Sequence, residues 1–234
     1  MRLDELFKNL GYLAGTIGTQ MREAFDGVPL AELDCNGPPP HEIGLRGSGQ
    51  VVLSEGEALA ITVEAGLDSE EVRFTLDGER LGICGGDRDT VIRVTMPAPR
   101  KLAVAGSGRM SAARLARDGE ISIAGSGRVE VAALEGGRIK ASLAGSGRAA
   151  IDGMAEHLEL SIAGSGSCDA EGLLVESAAV HIAGSGDAIF ACNGEVEAHL
   201  MGSGNVIVRG SARCSVHTVG SGTVTCERER ESAN

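Results

Sequence analysis

The sequence predicts an all-β fold: a right-handed, single-stranded parallel β-helix preceded by an N-terminal amphipathic helix. The first observation behind this prediction is a repeated tripeptide, Gly-Ser-Gly. Its serines are Ser48, Ser107, Ser126, Ser146, Ser165, Ser185, Ser203 and Ser221. From Ser107 onward they are 18 to 20 residues apart, which matches one coil of a solenoid and neither the collagen triplet nor the coiled-coil heptad.

The second observation is an apolar alternation on both sides of the tripeptide. Before it, apolar residues fall at every second place, as at Ile121 and Ile123, and after it the alternation returns, as at Val129 and Val131. A period of two predicts strands with one buried face. Short strands that meet at a glycine-rich corner in every repeat are typical of stacked coils. We favour the right-handed form because a left-handed hexapeptide helix needs a strict period of six.

The third observation is the composition. The 234 residues include 35 Gly, no Trp, one Tyr and four Phe, so small and aliphatic side chains must fill a narrow, regular core. Few rings are available to stack on nucleobases. The formal net charge of −12 disfavours binding to nucleic acid and to anionic membranes. We therefore expect no nucleic-acid partner, and no apolar run is long enough to predict a transmembrane segment.

The repeats and the strands before them resemble one bacterial family. The residues that carry the likeness are Leu102-Ala-Val-Ala-Gly-Ser-Gly with its successors, Leu59-Ala-Ile-Thr-Val, Leu81-Gly-Ile and Val91-Ile-Arg-Val-Thr-Met-Pro. They are similar to the head GIN domain family of auto-transporter adhesins, over about residues 41 to 226. The resemblance implies a β-helix, an adhesin function and a cell-envelope location, and it brings no catalytic or ligand residues. Asp4 and Glu5 lie where a signal peptide carries positive charge, so the sequence as written predicts a cytoplasmic location.

These patterns divide the chain into four segments. Residues 1–27 are predicted to form the amphipathic helix, residues 28–100 the lead-in to the solenoid, residues 101–226 the regular coils and residues 227–234 a charged tail. The apolar stripe of the helix consists of Leu3, Leu6, Phe7, Leu10, Leu13, Ile17, Met21 and Phe25. We expect this helix to cap the first coil, with self-association through residues 3–25 as the open alternative. The Asp77-Gly78 turn predicts an antiparallel hairpin within the lead-in.

One outward column, three places before the first glycine of the motif, contains histidines. We call it the histidine column: Ala103, Ser122, Ser142, Ser161, His181, His199 and His217. Imidazoles stacked at about 4.8 Å are candidate ligands for a divalent metal, with Glu197 in the neighbouring column. The plain alternative, which we favour, is a stack of polar rings without a ligand. Two places earlier in each coil, a ladder of alternating charge is predicted to form surface ion pairs: Lys101, Glu120, Lys140 and Glu159.

A second outward column lies one place after the motif. We call it the arginine column: Arg109, Arg128, Arg148, Ser167, Asp187, Asn205 and Thr223. Its three cationic side chains are candidate ligands for an anion such as a uronate or a phosphate, because like charges stacked this closely repel by roughly 1 kcal/mol in water. The plain alternative, which we favour, is that these side chains extend into solvent and pair with acids such as Glu130.

The cysteines and the repeated serines are interpreted as structural. Cys168, Cys192, Cys214 and Cys226 fall at even offsets after their motifs, where the buried side points. We predict free thiols in the core, with disulfides in an exported protein as the open alternative. The serines of the repeat have no matched histidine and acid that would form a hydrolase triad. We therefore predict no enzymatic activity and no cofactor.

The sequence thus predicts a non-catalytic structural or adhesion β-helix, associated with the surface or envelope of a bacterium. Its expected partner is a surface or glycan ligand. One alternative is a self-assembling cytoplasmic scaffold that associates through residues 3–25 and the coil ends. A second alternative is a β-helix that binds or acts on an acidic polysaccharide through the arginine column.

Overall fold

The structure, a computed structural model, describes residues 27–64, 72–134 and 136–227. It is an all-β solenoid of about seven turns. Within those ranges the one helical element is a short 3-10 helix, Leu30–Glu32. The predicted amphipathic helix lies outside the described residues except for its last position, Gly27, and so does the predicted tail except for Glu227. The right-handed sense of the coils stays a prediction.

Eighteen strands form one continuous sheet in the described part of the chain. They are β1 (Glu42–Gly47), β2 (Gln50–Glu55), β3 (Ala60–Glu64), β4 (Arg73–Asp77), β5 (Arg80–Cys84), β6 (Val91–Met96), β7 (Lys101–Gly106), β8 (Arg109–Ala112), β9 (Glu120–Gly125), β10 (Arg128–Val131), β11 (Arg138–Gly145), β12 (Arg148–Ile151), β13 (Gly153–Gly164), β14 (Ser167–Gly184), β15 (Asp187–Gly202), β16 (Asn205–Arg209), β17 (Arg213–Gly220) and β18 (Thr223–Glu227).

The strands stack in register on two faces that meet at the Gly-Ser-Gly corner. The leading face holds the strands that precede each corner, in the spatial order β5, β1, β7, β9, β11, β13, β14, β15, β17. The trailing face holds the strands that follow it, in the order β6, β2, β8, β10, β12, β14, β15, β16, β18. Because β14 and β15 bend around the solenoid, each contributes residues to both faces.

The first glycine of each corner is required by the stacking itself. Gly125 has a φ of +113°, and a Cβ at that position would lie 2.6 Å from the carbonyl oxygen of Gly106 in the coil below. That oxygen accepts a hydrogen bond from the backbone N–H of Ser126 at 2.8 Å. A side chain would therefore be strained in this conformation and would collide with the neighbouring coil. This double requirement explains why glycine recurs at the first position of the tripeptide.

The core is a column of aliphatic side chains enclosed by the coils. Ile121, Ile123, Leu158 and Leu160 are fully buried, as the alternation predicted. Burying each such side chain contributes about 1.5–3 kcal/mol. A single coil has only one layer of these side chains, so it depends on its neighbours above and below for burial.

At the N-terminal end the order of stacking differs from the order of the chain. The coil formed by β1 and β2 lies between the coil of β5 and β6 and the coil of β7 and β8. Beyond β5 and β6, two antiparallel pairings cover the end of the stack, β4 on β5 and β3 on β6. Val28 bridges to Phe74, and Leu30 and Leu33 pack against the core. Antiparallel strands therefore close this end in the described part of the chain.

At the C-terminal end the prediction of buried free thiols is wrong for two of the four cysteines. Cys168 and Cys192 are buried and free, and burial raises the pKa of the Cys168 thiol to about 12. Cys214 and Cys226 instead form a disulfide between β17 and β18. Since no described coil stacks above these strands, their inward positions are open to solvent, and Cys226 is exposed. The disulfide replaces the packing that a further coil would supply.

Candidate ligand-binding face

The arginine column lies on the trailing face with its members in register. Arg128 is aligned with Arg109 on one side and with Arg148 on the other. Arg128 forms an ion pair with Glu130 at 3.4 Å. The Nε of Arg148 donates a hydrogen bond to Oγ of Ser167 at 3.0 Å. Both guanidinium groups thus have neighbours within the protein, and anion binding by this column stays a prediction.

The upper half of the same column is a hydrogen-bonded ladder of neutral and acidic groups. The backbone N–H and the side-chain amide of Asn205 both donate to Oδ1 of Asp187, each at 3.0 Å. Thr223 in the next coil donates its hydroxyl to Oδ1 of Asn205 at 2.7 Å. These bonds hold the side chains of three successive coils in fixed positions on the surface.

Beside this ladder the trailing face contains an open groove of about 610 Å³. Its lining residues are Arg148, Ser167, Cys168, Asp169, Asp187, Ala188, Ile189, Asn205, Ile207, Thr223 and Thr225. Ile189 and Ile207 are aligned in adjacent coils and half-buried, so they give the groove an aliphatic floor. At the next outward position along the strand, Arg209 forms ion pairs with Glu171 and Glu227. The groove thus combines an apolar floor with a polar ladder.

Sequence reasoning missed this groove. The signal was available in the two outward isoleucines, which lie 18 residues apart at the same place after their motifs. They escaped notice because apolar residues in a strand alternation are normally assigned to the core. Of the residues predicted as ligands, Arg148 lines the groove, whereas Arg109 and Arg128 are not among its lining residues.

On the leading face the structure brings the three predicted histidines together as a stack. The ring centroids of His181 and His199 are 5.2 Å apart, and those of His199 and His217 are 5.0 Å apart, with interplanar angles of 16° and 15°. The Nε2 of His199 lies 2.8 Å from Oε1 of Glu197. Burial, and then the proximity of His199, lowers the pKa of His181 below its ordinary value.

The geometry of the histidine stack does not favour a metal centre. Imidazole lone pairs lie in the ring plane, so rings stacked face to face do not direct them to one point. Among residues 27–64, 72–134 and 136–227, no group of three or more His, Cys, Asp or Glu is arranged to hold a metal ion. Metal binding by His181, His199 and His217 stays a prediction.

The charge ladder beside the histidine column forms as ion pairs. Lys101 lies 3.3 Å from Glu120, and Lys140 lies 3.2 Å from Glu159. The serines of the histidine column are buried even though they face outward, and Ser142 is only 3% exposed. Longer side chains of the neighbouring column flank these serines, and Ser122 donates a hydrogen bond to the carboxylate of Glu120.

A family model matches residues 39–212 of the chain, and its description reads "putative auto-transporter adhesin, head GIN domain". Within the described ranges no helix is long and apolar enough to cross a membrane. A search among curated proteins found no match.

Solved structures share the fold. A crystal structure described as a putative adhesin from Bacteroides fragilis has a TM-score of 0.71 and 17% identity, covering 82% of this chain and 94% of that one. A putative adhesin from Parabacteroides merdae has a TM-score of 0.63 and 20% identity, covering 81% and 92%. A putative lipid binding protein from Parabacteroides distasonis has a TM-score of 0.59 and 21% identity, covering 82% and 94%. At these identities the likeness shows the fold, and the family match shows that this chain belongs to the auto-transporter adhesin, head GIN domain family.

Proposed function

We propose that this chain is a non-catalytic adhesion module that works outside the bacterial cytoplasm and binds a surface ligand through the groove of the trailing face. The observation that carries the proposal is the groove itself. Its aliphatic floor and most of its ladder lie on β15 and β16, which are hydrogen-bonded on both sides. A surface of this kind is organised before binding, so little conformational entropy is lost when a ligand binds.

The disulfide supports an extracytoplasmic location over the cytoplasmic scaffold. Disulfides persist in oxidising compartments and are rare where thioredoxin and glutathione keep thiols reduced. Cys214 and Cys226 join the two faces of the last described coil. A protein that depends on this bond to close one end of its core is suited to the envelope or the cell surface.

Self-association is the second candidate function, and the exposed end of the solenoid favours it. In the last described coil, Val216 is 40% exposed and Val219 is 61% exposed. Exposed apolar residues at the end of a stack are suited to contact another chain. Sedimentation velocity across a wide concentration range tests this candidate. Concentration-dependent growth supports it, and a monomer at every concentration rules it out.

A glycan microarray tests the adhesion function directly. The full chain is compared with Ile207→Arg, which places a long charged side chain on the groove floor, and with Ala144→Arg, which adds the same side chain to the leading face. We expect binding by the wild type and by Ala144→Arg, and none by Ile207→Arg. Equal binding by all three proteins would show that the groove is not the adhesive surface.

A further inference from the structure

We infer that the groove takes an amine-bearing, cationic glycan that lies along the axis of the solenoid. This inference rests on the proposed function and adds the chemical class of the ligand. It differs from the acidic polysaccharide that the arginine column predicts, because of the three arginines the groove includes Arg148 alone, together with two carboxylates.

The charge of the groove selects against an acidic ligand. Asp169 and Asp187 place two carboxylates in the lining, whereas Arg148 is the one cationic side chain among its described residues. The guanidinium of Arg148 already donates to Ser167. The whole chain has a formal net charge of −12, so its long-range electrostatic field also attracts cations and repels anions. An amine-bearing chain is therefore attracted and a uronate chain repelled.

The ladder offers hydrogen-bonding capacity that suits hydroxyl and ammonium groups. The backbone N–H and the side-chain amide of Asn205 each donate a hydrogen bond to Oδ1 of Asp187. Within the described residues, the other oxygen of this carboxylate has no protein donor. A carboxylate that is held in place by one oxygen and accepts through the other forms a strong charge-assisted hydrogen bond to an ammonium group.

The repeat of the groove matches a glycan better than a peptide. Adjacent coils are about 4.8 Å apart, whereas side chains on one face of an extended peptide recur at about 6.6 Å. The coil spacing is close to the advance of one sugar unit in an extended chain. Because neighbouring sugars of an extended β-1,4 chain are turned over relative to each other, equivalent amino groups face every second coil. A peptide that adds as a strand would also require an unpaired strand edge for its backbone. Of the strands that line the groove, β15 and β16 are paired on both sides. β18 has one described neighbour, β16, but a strand added there would run across the solenoid axis and not along the groove.

The aliphatic floor supplies the remaining contact. Ile189 and Ile207 are aligned in neighbouring coils and face the groove. The C–H face of a pyranose ring packs against such a surface while its equatorial hydroxyl and amino groups reach the polar ladder. In this arrangement aliphatic side chains provide the packing surface for the sugar that aromatic rings would provide in a protein rich in aromatic residues.

Calorimetric titration of the full chain with three soluble oligosaccharides tests the inference. The probes are a chitosan oligosaccharide, its fully N-acetylated counterpart with the same backbone and no positive charge, and an oligogalacturonate. We expect the chitosan oligosaccharide to bind more tightly than the acetylated one by roughly tenfold, as for a hydrogen bond to a charged group. Added salt should weaken that preference.

Two groove variants and one control variant assign the binding to the groove. Asp187→Asn preserves an oxygen that accepts from Asn205 but removes the charge, so it should abolish most of the preference for the amine. Ile207→Arg should abolish binding, and Ala144→Arg should leave it unchanged. Circular dichroism confirms that each variant is folded.

Failure of the inference is distinguishable from failure of the proposed function. If the acetylated oligosaccharide binds as tightly as the amine, or if oligogalacturonate binds best and Arg128→Ala abolishes that binding, the ligand class is wrong. The same conclusion follows if none of the three binds while Ile207→Arg still abolishes adhesion to other surfaces. If Ile207→Arg changes no binding of any kind, the adhesive role of the groove fails with it.

Discussion

Cys214 in β17 and Cys226 in β18 are joined by a disulfide that connects the leading and trailing faces of the last described coil. The two residues are 12 positions apart in the sequence. Coils deeper in the stack are closed by aliphatic side chains that pack on layers above and below. In the last described coil the disulfide closes the coil instead. The stability of this coil therefore depends on the redox state of the compartment.

Reduction of this disulfide should destabilise the C-terminal end. A closed loop of this length is stabilised by about 2–3 kcal/mol in the chain-entropy model. Urea unfolding monitored with and without a reductant measures the effect, and the Cys214→Ser/Cys226→Ser double variant, which should not respond to the reductant, is the control. Thiol titration of the denatured chain should count four free cysteines of the six before reduction. A count of six before reduction would show that the bond does not form.

Gly125→Ala should destabilise the solenoid severely. The added Cβ would lie 2.6 Å from the carbonyl oxygen of Gly106, on a backbone with a φ of +113°. We expect a loss of about 3 kcal/mol or more in the free energy of unfolding, from backbone strain and steric overlap together. Gly37→Ala is the matched control, since nothing lies within 4 Å of its added Cβ and its φ is not positive. Equal losses in the two variants, measured by urea unfolding, would contradict the stacking argument.

Acidification should weaken the fold through the histidine stack. Burial and the neighbouring His199 hold the pKa of His181 below its ordinary value of 6.5, and Glu159 and Glu197 act in the opposite direction. The unfolded chain therefore binds this proton at a higher pH than the folded protein. It follows that the free energy of unfolding decreases as the pH falls through 6.5, until the folded protein also takes up the proton.

Urea unfolding at several pH values checks this dependence on protonation. The variant His181→Gln should show a shallower decrease than the wild type, whereas His41→Gln, at an exposed site, should follow the wild type. An NMR titration gives the pKa of His181 directly. A value at or above 6.5 would contradict the account of this stack.

Cys168 should resist alkylation in the folded protein. Its side chain is buried, and burial raises its pKa to about 12, so little thiolate exists near neutral pH. Mass spectrometry after brief iodoacetamide treatment should find Cys168 unmodified in the native protein and modified in urea. The partly exposed Cys35 serves as the internal control for reagent activity. Rapid native modification of Cys168 would place it outside the core.

Features encoded within one coil could be predicted from the sequence. The corner glycines, the buried positions such as Ile121 and the alignment of His181 with His199 all follow from a period of 18 to 20 residues with alternation inside it. Each depends on the local pattern and on regular stacking, and both are visible in the repeat.

Features that depend on which segments meet could not be predicted in the same way. The coil of β1 and β2 stacks under that of β7 and β8, although aligned residues such as Glu42 and Lys101 are 59 positions apart, and no local pattern specifies that order. Cys226 has the spacing of a core residue, and it forms a disulfide in the last described coil, above which no described coil stacks.

The most direct test of the central claim is the affinity of the groove for a surface ligand. Surface plasmon resonance with the glycan identified on the microarray compares the full chain, Ile207→Arg and Ala144→Arg on one immobilised surface. We predict that the wild type and Ala144→Arg bind with the same dissociation constant and that Ile207→Arg shows no measurable binding. Undiminished binding by Ile207→Arg would contradict the claim that this groove is the adhesive site.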